Sequence, residues 1–123
     1  MKLHLADTRN RYTLTGYGIG YLAVNGTRYE HALIVPPDSE PQPWPVTAVA
    51  NMTTESVGLL LSTAPEIIII GTGSTQVFPE PAQLRVLIEA RVGLEIMNTP
   101  AACRTYNVLM GEGRRVLAAI CLP

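Results

Sequence analysis

Pro65-Glu66-Ile67-Ile68-Ile69-Ile70-Gly71-Thr72-Gly73 and, further on, Glu95-Ile96-Met97-Asn98-Thr99-Pro100-Ala101-Ala102-Cys103-Arg104-Thr105-Tyr106-Asn107 decide the fold. Four consecutive isoleucines leave no face for water. The first stretch therefore predicts a strand covered on both sides, as a central α/β strand is. It ends in a glycine-rich turn. The second predicts a strand, Leu94-Glu95-Ile96-Met97, running into a helix capped by Asn98 or Thr99 with Pro100 in its first turn. Two such units open a crevice at the carboxyl ends of their strands.

Between them, Pro79 and Pro81 open another helix, with Leu84, Leu87 and Ile88 as its buried stripe and Gly93 closing it near the C′ position. In the last helix either Ala102, Tyr106 and Leu109 or Cys103, Tyr106 and Met110 face inward. Gly111-Glu112-Gly113 ends it, and residues 116–122 form a final strand too apolar for a wet face. Upstream, Val46-Thr47-Ala48-Val49-Ala50 reads as a short strand, and Val57, Leu60 and Leu61 give the following helix one apolar face. Helices and strands alternate, so right-handed βαβ crossovers are the default.

The first third reads as antiparallel β. Arg11-Tyr12-Thr13-Leu14-Thr15 alternates in polarity, and two further strands, 20–24 and 27–35, flank Asn25-Gly26. That pair specifies a type I′ hairpin turn, because both central residues need positive φ. Gly16, Gly18 and Gly20 predict a bulge or sharp bend. Pro36-Pro37 and the proline-rich stretch 38–45 form an extended connection, in which Trp44 either pins the loop to the core or offers a contact to a partner.

The 123 residues suit a single domain, 1–123, and 47% hydrophobic against 15% charged residues indicates a packed globular chain. The formal net charge of -1 argues against a nucleic-acid binder, and Arg114-Arg115 reads as a solvated strand end. The apolar stretch 57–70 is broken by Ser62, Thr63, Pro65 and Glu66, so no membrane span is expected. Residues 1–7 lack the features of a signal peptide or presequence, which makes a cytoplasmic chain the simplest expectation.

The pairing of residues 69–73 with the thirteen residues from Glu95, followed by Glu112-Gly113-Arg114, resembles a widespread family of small domains of unknown function that includes the mitochondrial complex I assembly factor 3. The resemblance implies an α/β fold of three layers, with a mixed, mostly parallel central sheet, helices packed on it and an N-terminal antiparallel β-hairpin layer. It also implies that one strand runs against the others. For function it implies a non-catalytic interaction or assembly factor with a protein partner.

Two turns are candidates for chemistry. Gly71, Thr72, Gly73 and Ser74 could present amides to an anion, although neither a dinucleotide fingerprint nor a P-loop is present. The helix start, with Thr99, Ala102, Cys103, Arg104 and Thr105, offers free amides and a favourable dipole. If strands 66–70 and 94–97 are neighbours, both turns share one edge and frame a pocket for a carboxylate, a phosphate or water. That makes a small-anion or metabolite-binding protein or enzyme the alternative reading. A third is thiol chemistry at Cys103, whose pKa a helix N-terminus would lower. Only His4 and His31 could serve it as base, and a buried packing cysteine is the simpler reading, as it is for Cys121. No catalytic set, metal site or cofactor is expected. Glu112 beside Arg114 reads as a turn contact, and a homo-oligomer is left open.

Overall fold

The computed structural model describes residues 11–123, so His4 and residues 1–7 lie outside the described residues. The described residues open with β1 (Leu14–Gly18), β2 (Tyr21–Val24) and β3 (Thr27–Tyr29), followed by β4 (Leu33–Val35) and β5 (Gln42–Pro43). A 3-10 turn over Val49–Asn51 and the short helix α1 (Thr54–Gly58) lead to β6 (Ile67–Gly71). Then come α2 (Pro81–Glu89), β7 (Gly93–Met97), α3 (Thr99–Gly111) and β8 (Val116–Ile120).

Strands β1-β2-β3 form an antiparallel meander, and the other five form a mixed sheet in the order β5-β4-β8-β6-β7. β7 and β8 both pair parallel with β6, β4 pairs antiparallel with β8, and β5 pairs antiparallel with β4. Only β4 therefore runs against the rest. This is the mixed, mostly parallel arrangement expected.

The isoleucine run splits by parity, as strand side chains must. Ile68 and Ile70 enter one apolar cluster with Val57, Leu60, Leu84 and Leu87, from the α1–α2 side. Ile69 enters the other, with Ala102, Cys103, Tyr106 and Met110 of α3 and with Leu14, Leu22 and Val24 of the meander. Burying each such isoleucine stabilises the fold by about 1.5–3 kcal/mol. The three layers are thus α1 and α2, the five-stranded sheet, and α3 with the β1-β2-β3 meander.

Asn107 ties the meander to α3. Its Oδ1 accepts from the Leu14 amide at 2.9 Å, and its Nδ2 donates to the Leu14 carbonyl at 2.8 Å. The side-chain amide acts as a substitute strand neighbour for β1. The Asn25-Gly26 turn has both φ angles positive, 49° and 84°, as a type I′ turn requires. A register shift between Leu14 and Gly16 marks the expected bulge.

Several local expectations are corrected. The stretch 27–35 is not one strand but two, because β4 leaves the meander to pair with β8 in the other sheet. Residues 46–50 form no strand. Pro43 and Pro45 lack amide donors, and only Val46 and Val49 of this stretch are buried. Ile88 is exposed, leaving Leu84 and Leu87 to hold α2. The left-handed residue after α2 is Arg91, at φ 59°, and not Gly93. Gly93 instead starts β7, where a Cβ would stand 3.1 Å from the Glu66 carbonyl oxygen.

Replacing Asn107 by alanine removes both bonds to Leu14 and should lower stability by about 2 kcal/mol. The expected outcome is a lower urea midpoint with an unchanged slope.

Candidate functional site

β6 and β7 are parallel neighbours in the register Gly71 to Met97, so the two turns do open on the same edge of the sheet. Thr99 stands between them. Its amide donates to the Gly73 carbonyl at 2.8 Å, and its hydroxyl accepts from the Gly73 amide at 2.9 Å. The same hydroxyl donates to the Cys121 carbonyl at 2.7 Å, just past β8. One fully buried side chain therefore joins the exits of β6 and β8 to the start of α3. A hydroxyl has one proton to give, and here it is committed.

The neighbouring groups are also engaged. Thr72 donates from its amide to the Met97 carbonyl at 2.9 Å, and its hydroxyl donates to the Thr75 carbonyl at 2.6 Å and accepts from the Val77 amide at 3.2 Å. Asn98 caps α3 by accepting from the Ala101 amide at 2.9 Å. At Gly71 a Cβ would lie 3.1 Å from each of Ala102 Cβ, Ile120 Cδ1 and Thr99 Oγ1, so helix and strand approach there as closely as glycine permits. Gly73, at φ 100°, makes the turn that lets its amide and carbonyl both meet Thr99.

Of the candidate site residues, Gly71, Thr72, Gly73, Thr99, Ala102 and Cys103 are buried, Thr105 is half-buried, and Ser74 and Arg104 are exposed. The fold brings the two turns together and fills the space between them with its own side chain.

Cys103 is buried in the second apolar cluster, the simpler of the two readings its position allowed. Burial pushes its thiol up to about 12, which outweighs the opposing pull of the Arg104 charge. Burial raises Cys121 to about 11. His31 lies at the exposed β3–β4 bend, its Nδ1 3.0 Å from the Ala32 carbonyl oxygen. Among the described residues, no three His, Cys, Asp or Glu side chains cluster closely enough to hold a metal ion.

Trp44 pins its loop. The indole is buried and donates to the Ser56 carbonyl at 3.0 Å, so it offers no contact surface. Exposed apolar groups lie elsewhere: Ile19, Leu59, Ile88 and Val108 are scattered over the surface, and Val77-Phe78 lie beside a cleft of about 260 Å³ lined by Val49, Ala50, Glu80 and Gln83. At the opposite end, Arg11, Asp38, Met110, Arg114 and Arg115 line a cleft of about 270 Å³. Arg114 pairs there with Glu66 at 3.2 Å, not with the Glu112 its spacing suggested. The Arg114 side chain and then the Arg115 amide hold the Glu66 carboxyl below its usual range. Arg115 is more than a solvated end, since it donates to Asp38 at 2.8 Å and to the Thr63 and Ala64 carbonyls.

Sequence reasoning missed Asn107 as a clamp and Ile19 and Phe78 as exposed groups. Asparagine inside a helix, and isoleucine between two glycines, were the available signals.

The family model described as "Protein of unknown function (DUF498/DUF598)" matches residues 14–121. The NADH dehydrogenase [ubiquinone] 1 alpha subcomplex assembly factor 3 of Bos taurus is 33% identical over 89% of this chain and 60% of its own length. A 13 kDa major membrane protein of Francisella tularensis is 35% identical over 58% of each chain. The chain thus spans less than two thirds of the length of these curated relatives. Among solved structures, a Bordetella parapertussis protein aligns with a TM-score of 0.81 at 42% identity, over 92% of this chain and 97% of its own. An outer membrane protein of Bartonella henselae aligns at 0.82 and 27% identity, over 92% and 96%.

Thr99→Val keeps the shape of the side chain but strands the Gly73 amide and the Cys121 carbonyl, at a cost of about 2–5 kcal/mol. Thr99→Ser should recover most of that loss in the same denaturation experiment. Both thiols should resist iodoacetamide at pH 8 in the folded protein and react once denaturant is added, as mass spectrometry would record.

Proposed function

Because this chain belongs to the DUF498/DUF598 family, we propose that it acts as a non-catalytic assembly factor that holds a protein partner. The observation carrying this reading is the 33% identity, across 89% of the chain, with an assembly factor of NADH dehydrogenase. The partner is a subunit or maturation factor of a multi-subunit complex, and the chain leaves before the complex is finished.

The geometry favours this role over the anion-binding alternative. At the edge where a ligand would sit, the Gly73 amide and the Thr99 hydroxyl bond to each other, and the hydroxyl's own proton goes to Cys121. An anion would have to displace those bonds, leaving only Ser74 and Arg104 as exposed polar side chains among the candidates. Thiol chemistry has still less support, since the Cys103 sulfur is buried and its pKa raised. Among the described residues, no helix is long and apolar enough to cross a membrane.

Deleting the gene in its source cell and resolving native complexes on a gel tests the role. The expected outcome is less assembled NADH dehydrogenase and more partial complexes, with this chain bound to a partial complex and absent from the finished one. Normal assembly after deletion would sink the proposal. The anion alternative makes a separate prediction. A ligand at a hundred times its dissociation constant would stabilise the fold by about 2.7 kcal/mol. We expect no such thermal shift with phosphate or simple carboxylates.

A further inference from the structure

β7 closes one side of the five-stranded sheet, and among the described residues no strand lies beyond it. Its backbone groups alternate in direction, as those of a parallel strand do. The Gly93 amide donates to the Glu66 carbonyl, and the Met97 carbonyl accepts from the Thr72 amide, so residues 93, 95 and 97 face β6. Leu94 and Ile96 face outward. There the Ile96 carbonyl accepts from Gln76 Nε2 at 3.2 Å. The Leu94 amide and carbonyl and the Ile96 amide have no partner among the described residues.

Other edges of the fold are blunted. β5, on the far side of the same sheet, has two residues, the second of them Pro43. On β1, the Asn107 side chain occupies both the amide and the carbonyl of Leu14. β7 has five residues and no proline. An edge of that length is a template for another strand.

The helix above β7 carries the same signal. Leu84 and Leu87 of α2 pack with Ile68 and Ile70 of β6, and Leu94 and Ile96 pack against that cluster, so α2 lies over the β6–β7 pair. Gln83 faces the segment before α1, donating to the Val49 and Met52 carbonyls at 2.9 and 3.1 Å. Ile88, five residues on, stands roughly 140° further round the helix, on the opposite flank of the Leu84–Leu87 stripe. That flank overlooks the open edge, and Ile88 is 57% exposed there. A charged side chain would guard the edge, whereas an isoleucine beside half-buried Leu94 and Ile96 does the reverse.

The spacing of these elements fits a second copy of this chain. Neighbouring strands stand about 4.8 Å apart, so pairing β7 with its twofold mate sets the two α2 helices about 10 Å apart. Helices pack at about 8–10 Å, so the symmetry that joins the strands also closes Ile88 against the neighbouring helix. A strand from an unrelated protein would satisfy the backbone and leave Ile88 open. Charge agrees. Arg91 and Glu95 are exposed, and among the described residues neither is in an ion pair. Pairing centred on Leu94 sets Glu95 opposite the partner's Gly93, with the partner's Arg91 on the diagonal. A centre at Glu95 would instead oppose two carboxylates.

We propose that β7 pairs antiparallel with β7 of a second copy, in the register centred on Leu94, making one continuous sheet of the two. The inference does not depend on the assembly role, and either can fail alone.

Sedimentation velocity of the full chain over a range of concentrations tests it. The expected species has twice the 13.3 kDa of one chain and grows as concentration rises. Ile88→Glu should weaken the dimer about a hundredfold, because each copy loses one buried apolar contact. Arg91→Glu and Glu95→Arg should each weaken it, and the double exchange should restore it. Hydrogen exchange at the Leu94 and Ile96 amides should slow on dimerisation. Circular dichroism of each variant separates lost pairing from lost fold. A chain that stays monomeric at every concentration overturns the proposal. So does a dimer that Ile88→Glu leaves intact, a double exchange no stronger than the single ones, or unprotected Leu94 and Ile96 amides in the dimer.

Discussion

Every other feature of this fold follows from two strands that cannot tolerate water on either face. β8 is buried at all five positions, and four of the five positions of β6 are buried. Such strands need neighbours on both sides and a layer above and below. α1 and α2 cover one face, and α3 with the meander covers the other. The meander cannot be dispensed with. Leu14, Leu22 and Val24 complete the second cluster, and Asn107 holds their strands to α3.

The same demand shapes the edge where the strands end. In many α/β proteins that edge holds a ligand, because helix amides point into an open crevice. Here the crevice is closed from within. Thr99 accepts from Gly73 and donates to Cys121, so a single hydroxyl fastens three segments. Gly71 lets Ala102 and Ile120 approach to a distance that any Cβ would crowd. The turn therefore also serves as a joint. Burial gives Cys103 the same kind of structural role, since a desolvated thiol stays protonated and inert.

With the interior committed, the surface carries the differences between the two ends. One end holds the ion pairs of Arg114 and Arg115, which are exposed and individually weak. The other presents Ile19 and Phe78. Both side chains stand mostly outside the packed layers.

The sequence by itself determined the elements whose signal is local. The isoleucine run, the Asn25-Gly26 turn and the Asn98-Thr99-Pro100 helix start each depend on a few adjacent residues, and each formed as their chemistry demands. It also placed the two turns on one edge, given that β6 and β7 are neighbours. Only the tertiary structure decided what depends on residues far apart in the chain. The stretch 27–35 split because β8, more than eighty residues later, offered β4 a buried partner. The Thr99 hydroxyl gives its proton to the Cys121 carbonyl, twenty-two positions further along the chain. Arg114 chose Glu66 over nearby Glu112 for the same reason. Periodicity and turn chemistry report a residue's own preferences, whereas a hydrogen bond needs a partner in space, and only the packed layers say which partner arrives.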